Sequence, residues 1–378
     1  MSGTTLPTPL YGLYQQEIGI SSLTVTVLFS VYALGVITVL TLAGDFSDVL
    51  GRKSMLLAGL AFAAGSGVCF LFQESLALLF VGRVLSGFSA GLFTGVGTVA
   101  ILELAPEGRL RRASLTATAA NMLGLGCGPL LAGLLAQYAP SPLRLPYLTH
   151  LGLVAVAAVL VPWMPETVRR PEPRPSLTVS PPSVPPEVRS VFRPAALAAF
   201  VGFAMFGLFT AVAPSFMDQS LGVHNLAVEG SVVFLAFAAS TLGQWLMGRV
   251  GVRRALPLGC FVLLLGVASV GAALLLSAFP LLVLGAAVSG LGQGLLFRSG
   301  LVTVSGRAPA DRRAETTSAF FVAAYLGISL PIVGVGALSE VVSLRDSGLV
   351  FSACAALLAG AVGWWLTRHP PAEPSVPA

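Results

Sequence analysis

The chain has 378 residues, of which 55% are hydrophobic and only 10% charged, with a mean hydropathy of +0.88. Soluble globular proteins carry about 25% charged residues, so this composition cannot dress a water-facing surface and argues against a disordered chain, a nucleic-acid binder and an ordinary cytosolic enzyme. The net charge of +5 and a pI near 9.3 are explained by where the basic residues fall rather than by an anionic ligand.

In chain order, eleven apolar runs are long enough to cross about 30 Å of hydrocarbon, which takes roughly 20 residues of helix. They cover approximately 22–43, 54–72, 76–102, 114–137, 146–164, 194–216, 228–248, 255–278, 279–304, 317–338 and 347–367. Runs of this length are helices, because in lipid every backbone N–H and C=O must find a partner within the segment. If the loop after the first complete run faces the cytoplasm, alternate connections hold 17 of the 21 Lys and Arg residues. Only Arg144 and Arg345 fall in the opposite loops, and Arg83 and Arg298 lie inside runs. This bias places the central linker and the C-terminus in the cytoplasm of a cell whose inner membrane holds the protein. The four cysteines fall singly in different runs, without metal or disulfide spacing, and no metal or cofactor is expected.

Residues 165–193 are rich in Pro and Arg and lack an apolar period, so they read as an extended linker. They divide the chain into an N-terminal bundle (1–164) and a C-terminal bundle (194–367), with a cytoplasmic tail at 368–378. The two bundles are related: shifting the chain by 203 residues lays 82–109 on 285–312 without gaps, with ten of 28 positions identical. The same shift pairs Gln16, Gly19 and Leu23 with Gln219, Gly222 and Leu226. Tandem halves of about six helices are the plan of many secondary transporters, with the substrate between them. The repeat also implies a partner for the 194–216 helix at the start of the chain, where only the tail of a helix is visible. About ten residues of that first helix, with any leader, are therefore expected to be lacking. A short re-entrant segment is the alternative.

The loop after the first complete run reads Gly44-Asp45-Phe46-Ser47-Asp48-Val49-Leu50-Gly51-Arg52-Lys53. It resembles the G-x3-D-x2-G-R-[RK] signature of the major facilitator superfamily (MFS). Gly51 permits a tight turn, Asp48 is suited to a neighbouring helix N-terminus, and Glu103 is the expected acid partner of Arg52. By resemblance, Asp48 docks on the start of the 317–338 helix and locks the outward-facing state. The second copy of this loop, from Gly243 to Arg254, keeps glycines and arginines but has no acid. Arg83, Gly87 and Gly91 are similar to the superfamily's R-x3-G-x3-G motif. Gly124, Gly128, Pro129 and Gly133 resemble the fifth-helix motif of its antiporters, mostly drug exporters. Pro165-Glu166-Thr167 also looks like the superfamily. The resemblance implies an all-α, polytopic fold of two pseudo-symmetric six-helix bundles, with the first helix truncated.

What the resemblance implies for function is secondary transport by alternating access, with proton-coupled efflux of small amphipathic molecules or drugs as the leading expectation. A facilitator or importer of a sugar or other metabolite is the alternative, and a sensor or inactive pseudo-transporter is a third. No catalytic cluster points to an enzyme, and no GxxxxGK[ST] segment supplies ATP drive. Expected partners are the bilayer, a small-molecule substrate and protons, and the chain is expected to act as a monomer. Polar and aromatic groups on the helices that face the centre in this superfamily are the candidate cavity residues: Tyr11, Tyr14, Tyr32, Arg83, Asn121, Phe203, Phe206, Gln293 and Tyr325. None of the 16 acids is plainly central. Glu229, at the start of its helix, is the candidate proton site.

Overall fold

The computed structural model describes residues 1–42, 49–168 and 182–369, and these form helices and connections without a strand. Gly44 and Asp48 of the loop motif, most of the linker and most of the tail lie outside the described residues. Segment α1 (2–18) consists of three short helical pieces, Ser2–Thr5, Thr8–Leu10 and Tyr11–Ile18. The remaining helices of the first half are α2 (Ser22–Leu42), α3 (Arg52–Leu71), α4 (Leu76–Glu103), α5 (Leu110–Tyr138) and α6 (Leu145–Trp163). The second half holds α7 (Pro186–Leu221), α8 (Leu226–Val250), α9 (Val252–Leu276), α10 (Phe279–Arg307), α11 (Arg313–Ser339) and α12 (Leu344–Arg368). Helices α2 to α12 are all long and apolar enough to span a membrane.

Hydropathy places the helices well and their ends less well. Several continue beyond the apolar run: α5 begins at Leu110 and α7 at Pro186, so Arg112 and Arg189 lie within first turns and Arg193 one turn farther along α7. Such ends sit at headgroup depth, where helix geometry persists while basic side chains reach water. Between 278 and 279 hydropathy shows no gap, yet the chain turns there, because Ser277 adopts a left-handed conformation (φ 49°) that ends α9. Where caps are present they are local: Ser75 accepts from Leu78 N–H, Asn225 from Ala227 and Val228, and Ser343 from Asp346. Each satisfies helix donors that have no partner within the helix.

The repeat is visible in the geometry. Helices α4 and α10 start 203 residues apart, as do α5 and α11. Gly19 and Gly222, which the sequence shift superimposes, both close their helices in the left-handed region, at φ 69° and 64°. Within the halves, α3 packs on α4 and α6, and α9 packs on α10 and α12. The halves meet along two seams, α2 against α11 and α5 against α8. Helix α7 is the most enclosed span, with 89% of its apolar window buried, and α6 the most lipid-facing at 22%. The centre of the molecule therefore lies between α7 and the four seam helices.

Candidate functional site

Glycine stripes set the helix spacing around the centre. Arg83, Gly87 and Gly91 recur every four residues, so they form one stripe on α4 that faces α2. A Cβ on Gly87 would strike the Tyr32 carbonyl and Gly35 Cα, and one on Gly91 would lie 2.7 Å from Val39 Cβ. On the same stripe, Arg83 is 1% exposed. Its guanidinium donates to the carbonyls of Thr4 (2.6 Å), Leu28 (3.2 Å) and Phe29 (3.4 Å), tying α4 to α1 and α2. It also lies 5.4 Å and 5.1 Å from the ring centres of Phe29 and Tyr32.

On α5, Pro129 has no N–H to give to the carbonyl of Leu125. The hydroxyl of Thr5 donates to that carbonyl instead, at 2.5 Å. This is the usual remedy for a proline in a membrane helix. Gly124 and Gly128 make room for α1. Gly133 and Pro129 face α8 instead: a Cβ on Gly133 would meet the Leu226 carbonyl, and one on Gly230 the Pro129 carbonyl. One short motif thus serves two interfaces, through residues on opposite sides of the helix.

Between the halves lies a cavity of about 290 Å³. Its residues come from both bundles: Phe29, Tyr32, Thr94, Thr98, Thr118, Asn121 and Met122 from the first, and Phe203, Phe206, Thr210, Phe237, Gln244, Phe297, Thr317, Phe321 and Tyr325 from the second, among others. An aromatic chain crosses it. Phe29 stands 5.2 Å from Tyr32, Tyr32 6.2 Å from Tyr325, Tyr325 6.0 Å from Phe203, and Phe206 4.4 Å from Phe237. Among the described lining residues none has a charged side chain. Both π-helical turns, Phe93–Gly97 in α4 and Leu208–Val212 in α7, lie at the cavity, and they carry Thr94 and Thr210. Single π turns often mark functional positions because the extra residue re-aims the side chains around it.

The candidate cavity residues divide into two groups. Tyr32, Asn121, Phe203, Phe206 and Tyr325 line the space. Arg83 does not line it but lies directly behind its Phe29 and Tyr32 wall. Tyr11 is buried in the first half, and the Tyr14 hydroxyl is 2.7 Å from that of Tyr147. Gln293 accepts from Ser240 at 2.6 Å in the α8–α10 contact. Arg298 donates to the Gln244 carbonyl at 2.8 Å, also between α8 and α10. Phe29, Phe237, Phe297 and Phe321 were not singled out from sequence. Phe29 stands one turn from Tyr32, and Phe297 one turn from Gln293, so helical spacing from the chosen residues would have reached them.

The cavity residues lie in the middle of the helices and toward the end that bears the Arg-rich connections. Toward the Arg-poor end the halves are tied together. Ser215 of α7 donates to Gln15 of α1 at 3.4 Å, Leu226 N–H of α8 to Gln137 of α5 at 2.9 Å, and Leu23 N–H of α2 to Glu340 at the end of α11 at 3.3 Å. Glu229, 3% exposed, lies in the first turn of α8 at this same end.

At the Arg-rich end, Arg52 forms a two-pronged pair with Glu103, at 2.8 and 3.2 Å. Thr167 donates to the same carboxylate at 2.5 Å. Gly51 stands at φ 92°, a backbone conformation suited to glycine. Glu166 then caps α3 by accepting the N–H groups of Arg52 and Lys53, at 2.9 and 3.2 Å. Burial acts to raise the Glu166 pKa, but backbone donors from Arg52, Lys53, Val168 and Thr167 outweigh it and hold the carboxyl below its ordinary value of 4.5. The Pro165-Glu166-Thr167 segment is thereby fastened to the start of α3 and the end of α4.

The sequence profile of the Major Facilitator Superfamily matches residues 1–332. Multidrug resistance protein 1 of Bacillus subtilis is 28% identical over 171 residues, 45% of this chain and 43% of that protein. The chloramphenicol resistance protein CraA of Acinetobacter baumannii is 28% identical over 180 residues, 47% of this chain and 42% of its own. These alignments span less than half the length of either relative. The crystal structure of the human organic anion transporter MFSD10 (TETRAN) shares the fold, with a TM-score of 0.69 at 16% identity, over 96% of this chain and 95% of that one. With the profile covering most of its length and the two-bundle helical architecture in place, the chain belongs to the Major Facilitator Superfamily of multi-pass membrane transporters.

Proposed function

We propose that this protein is a proton-coupled exporter of small amphipathic organic molecules, working by alternating access, with its Arg-rich face in the cytoplasm of a bacterial inner membrane. The observation that carries this reading is the central cavity. It lies between the two halves, is walled by aromatic rings from both, and holds threonine, asparagine and glutamine but no charged side chain among its described residues. Such a lining favours flat or flexible apolar bodies with a few hydrogen-bonding groups. The drug-resistance names of the relatives support the same class of substrate. A cavity lying toward the Arg-rich half, with the Arg-poor end tied shut, corresponds to an inward-facing state.

For coupling we assign Glu229. It is a buried carboxyl next to Gly230, whose backbone contacts Pro129 in the α5–α8 seam. Membrane acids are costly and usually functional, and a proton gained or lost at that seam biases whether it stays closed. The test is export of a fluorescent amphiphile from proteoliposomes under an imposed pH gradient. Gradient-dependent export that disappears in Glu229→Gln is expected. Export that ignores the gradient defeats the coupling, and gradient-driven export by Glu229→Gln defeats the assignment of the residue.

A further inference from the structure

The two seams between the halves are built differently. The α2–α11 seam is joined at three levels: Leu23 N–H with Glu340, Ser30 with the Ser329 carbonyl, and Ser318 with the Leu40 carbonyl. The α5–α8 seam is closed only in its Arg-poor half, where Gly133 and Gly230 bring the backbones together. In its other half the two helices leave a crevice of about 350 Å³. Its wall on α5 extends from Leu115 to Leu123, about 12 Å at 1.5 Å per residue. Ala238 and Leu242 face it from α8.

Two features show what the crevice connects. Among the described residues, Thr118 and Gln244 line both it and the central cavity, so these two residues stand at the boundary between them. On the other side, Leu242 is 50% and Trp245 40% exposed, within a span that faces hydrocarbon. The crevice therefore lies between the lipid-exposed surface of α5 and α8 and the central cavity. A charge lies over Trp245: the guanidinium of Arg249, one turn farther toward the Arg-rich end, is 3.6 Å from its ring centre. Trp and Arg at this position form a pair suited to the headgroup layer.

We propose that the crevice between α5 and α8 is a lateral portal through which a membrane amphiphile with an anionic head enters the central cavity from the bilayer. The acyl chain lies along Leu115, Leu123, Ala238 and Leu242, and Arg249 holds the head at the interface. Entry passes Thr118 and Gln244. The proposal rests on the central cavity being the substrate site, but it does not depend on proton coupling.

The test uses the full chain in phosphatidylcholine nanodiscs. Two photoreactive probes share one diazirine-bearing acyl tail, one with a phosphate monoester head and one with a neutral glycerol head. Labelled positions are mapped by mass spectrometry. The phosphate probe is expected to label cavity residues on α5, such as Asn121 and Met122. Ala238→Trp, which fills the crevice, is expected to remove that labelling while leaving labelling at Leu265 of α9, which is exposed and outside the crevice. Ala119→Phe fills the crevice from the other wall and serves where the first variant does not fold. Arg249→Gln, at an exposed position, is expected to lower cavity labelling by the phosphate probe about fivefold and leave the neutral probe unchanged. Labelling confined to lipid-facing positions, or cavity labelling that persists in both filled variants, overturns the portal. An equal response of both probes to Arg249→Gln overturns the anionic head. Since labelling needs no turnover, intact labelling beside absent gradient-driven export counts against the proposed coupling and not against the portal.

Discussion

Gly133→Ala and Gly230→Ala should each open the α5–α8 seam at its Arg-poor end. The methyl group added at Gly133 would press on the Leu226 carbonyl, with the Leu226 carbonyl carbon at 3.0 Å and Ala227 Cα at 3.2 Å. At Gly230 it would press on the Pro129 carbonyl, with that residue's carbonyl carbon at 2.9 Å. All of these are backbone atoms, so no side-chain rotation relieves the contact and the helices must separate. Overpacking of this kind costs about 1–3 kcal/mol. A state in which the seam is open carries none of that cost. With about 1.4 kcal/mol per factor of ten, a penalty of about 2 kcal/mol shifts the balance toward the open-seam state by roughly 30-fold. Val233, fully buried one turn farther along α8, provides the reporter. In a background lacking Cys69, Cys127, Cys260 and Cys354, Val233→Cys should react with a membrane-impermeant maleimide from the Arg-poor side about 30-fold faster when either alanine is present. An unchanged labelling rate, in a protein whose melting temperature shows it folded, would refute the reasoning that these two glycines hold the seam shut.

Other consequences follow from single contacts. In a double-mutant cycle, Arg52→Gln and Glu103→Gln should show a coupling of about 1 kcal/mol or less, because Glu103 is 32% exposed and solvent screens the pair; additive losses of thermal stability would mean that the pair contributes nothing. Asn225→Ala removes the acceptor for Ala227 and Val228 N–H and should cost about 1 kcal/mol in unfolding measurements. Since Glu166 has a folded-state pKa below 4.5, the stability it supplies is present above that value and is lost as pH falls through the lowered one. Acidification into that range should loosen the α3 cap in amide exchange at Arg52 and Lys53, and Glu166→Gln should flatten the response. Arg83→Lys keeps the charge but not the planar fork that reaches three carbonyls. It should lower stability by about 2 kcal/mol in thermal unfolding and leave selectivity among uncharged substrates unaltered, whereas a changed substrate profile would place Arg83 in the site itself.

The central cavity was only partly legible in the sequence. Tyr32, Asn121, Phe203, Phe206 and Tyr325 were reached by asking which polar and aromatic groups lie on centre-facing helices. The same criterion also selected Tyr14, which bonds to Tyr147, and Gln293, which bonds to Ser240. Type and helix do not fix direction, since neighbours along a helix differ by about 100°. Arg83 shows the point most clearly. As a lone charge in an apolar run it suggested a cavity or pairing role, and backbone carbonyls of α1 and α2 take up its donors behind the cavity wall.

The sequence by itself determined the class, the helix count, the sidedness of the basic residues and the repeat, because each follows from the cost of placing polar groups in hydrocarbon or from direct likeness between the halves. It also located the motifs, since glycine and proline act on the backbone at their own positions. Which helices form the seams, which end of the cavity is tied shut, and where a crevice reaches the lipid are contacts between residues distant in sequence. Gly133 meeting Leu226, Gln15 meeting Ser215 and Thr118 sharing a boundary with Gln244 are pairings that only the packed halves decide. Periodicity records how each helix meets its surroundings on average, and it does not record which partner it meets.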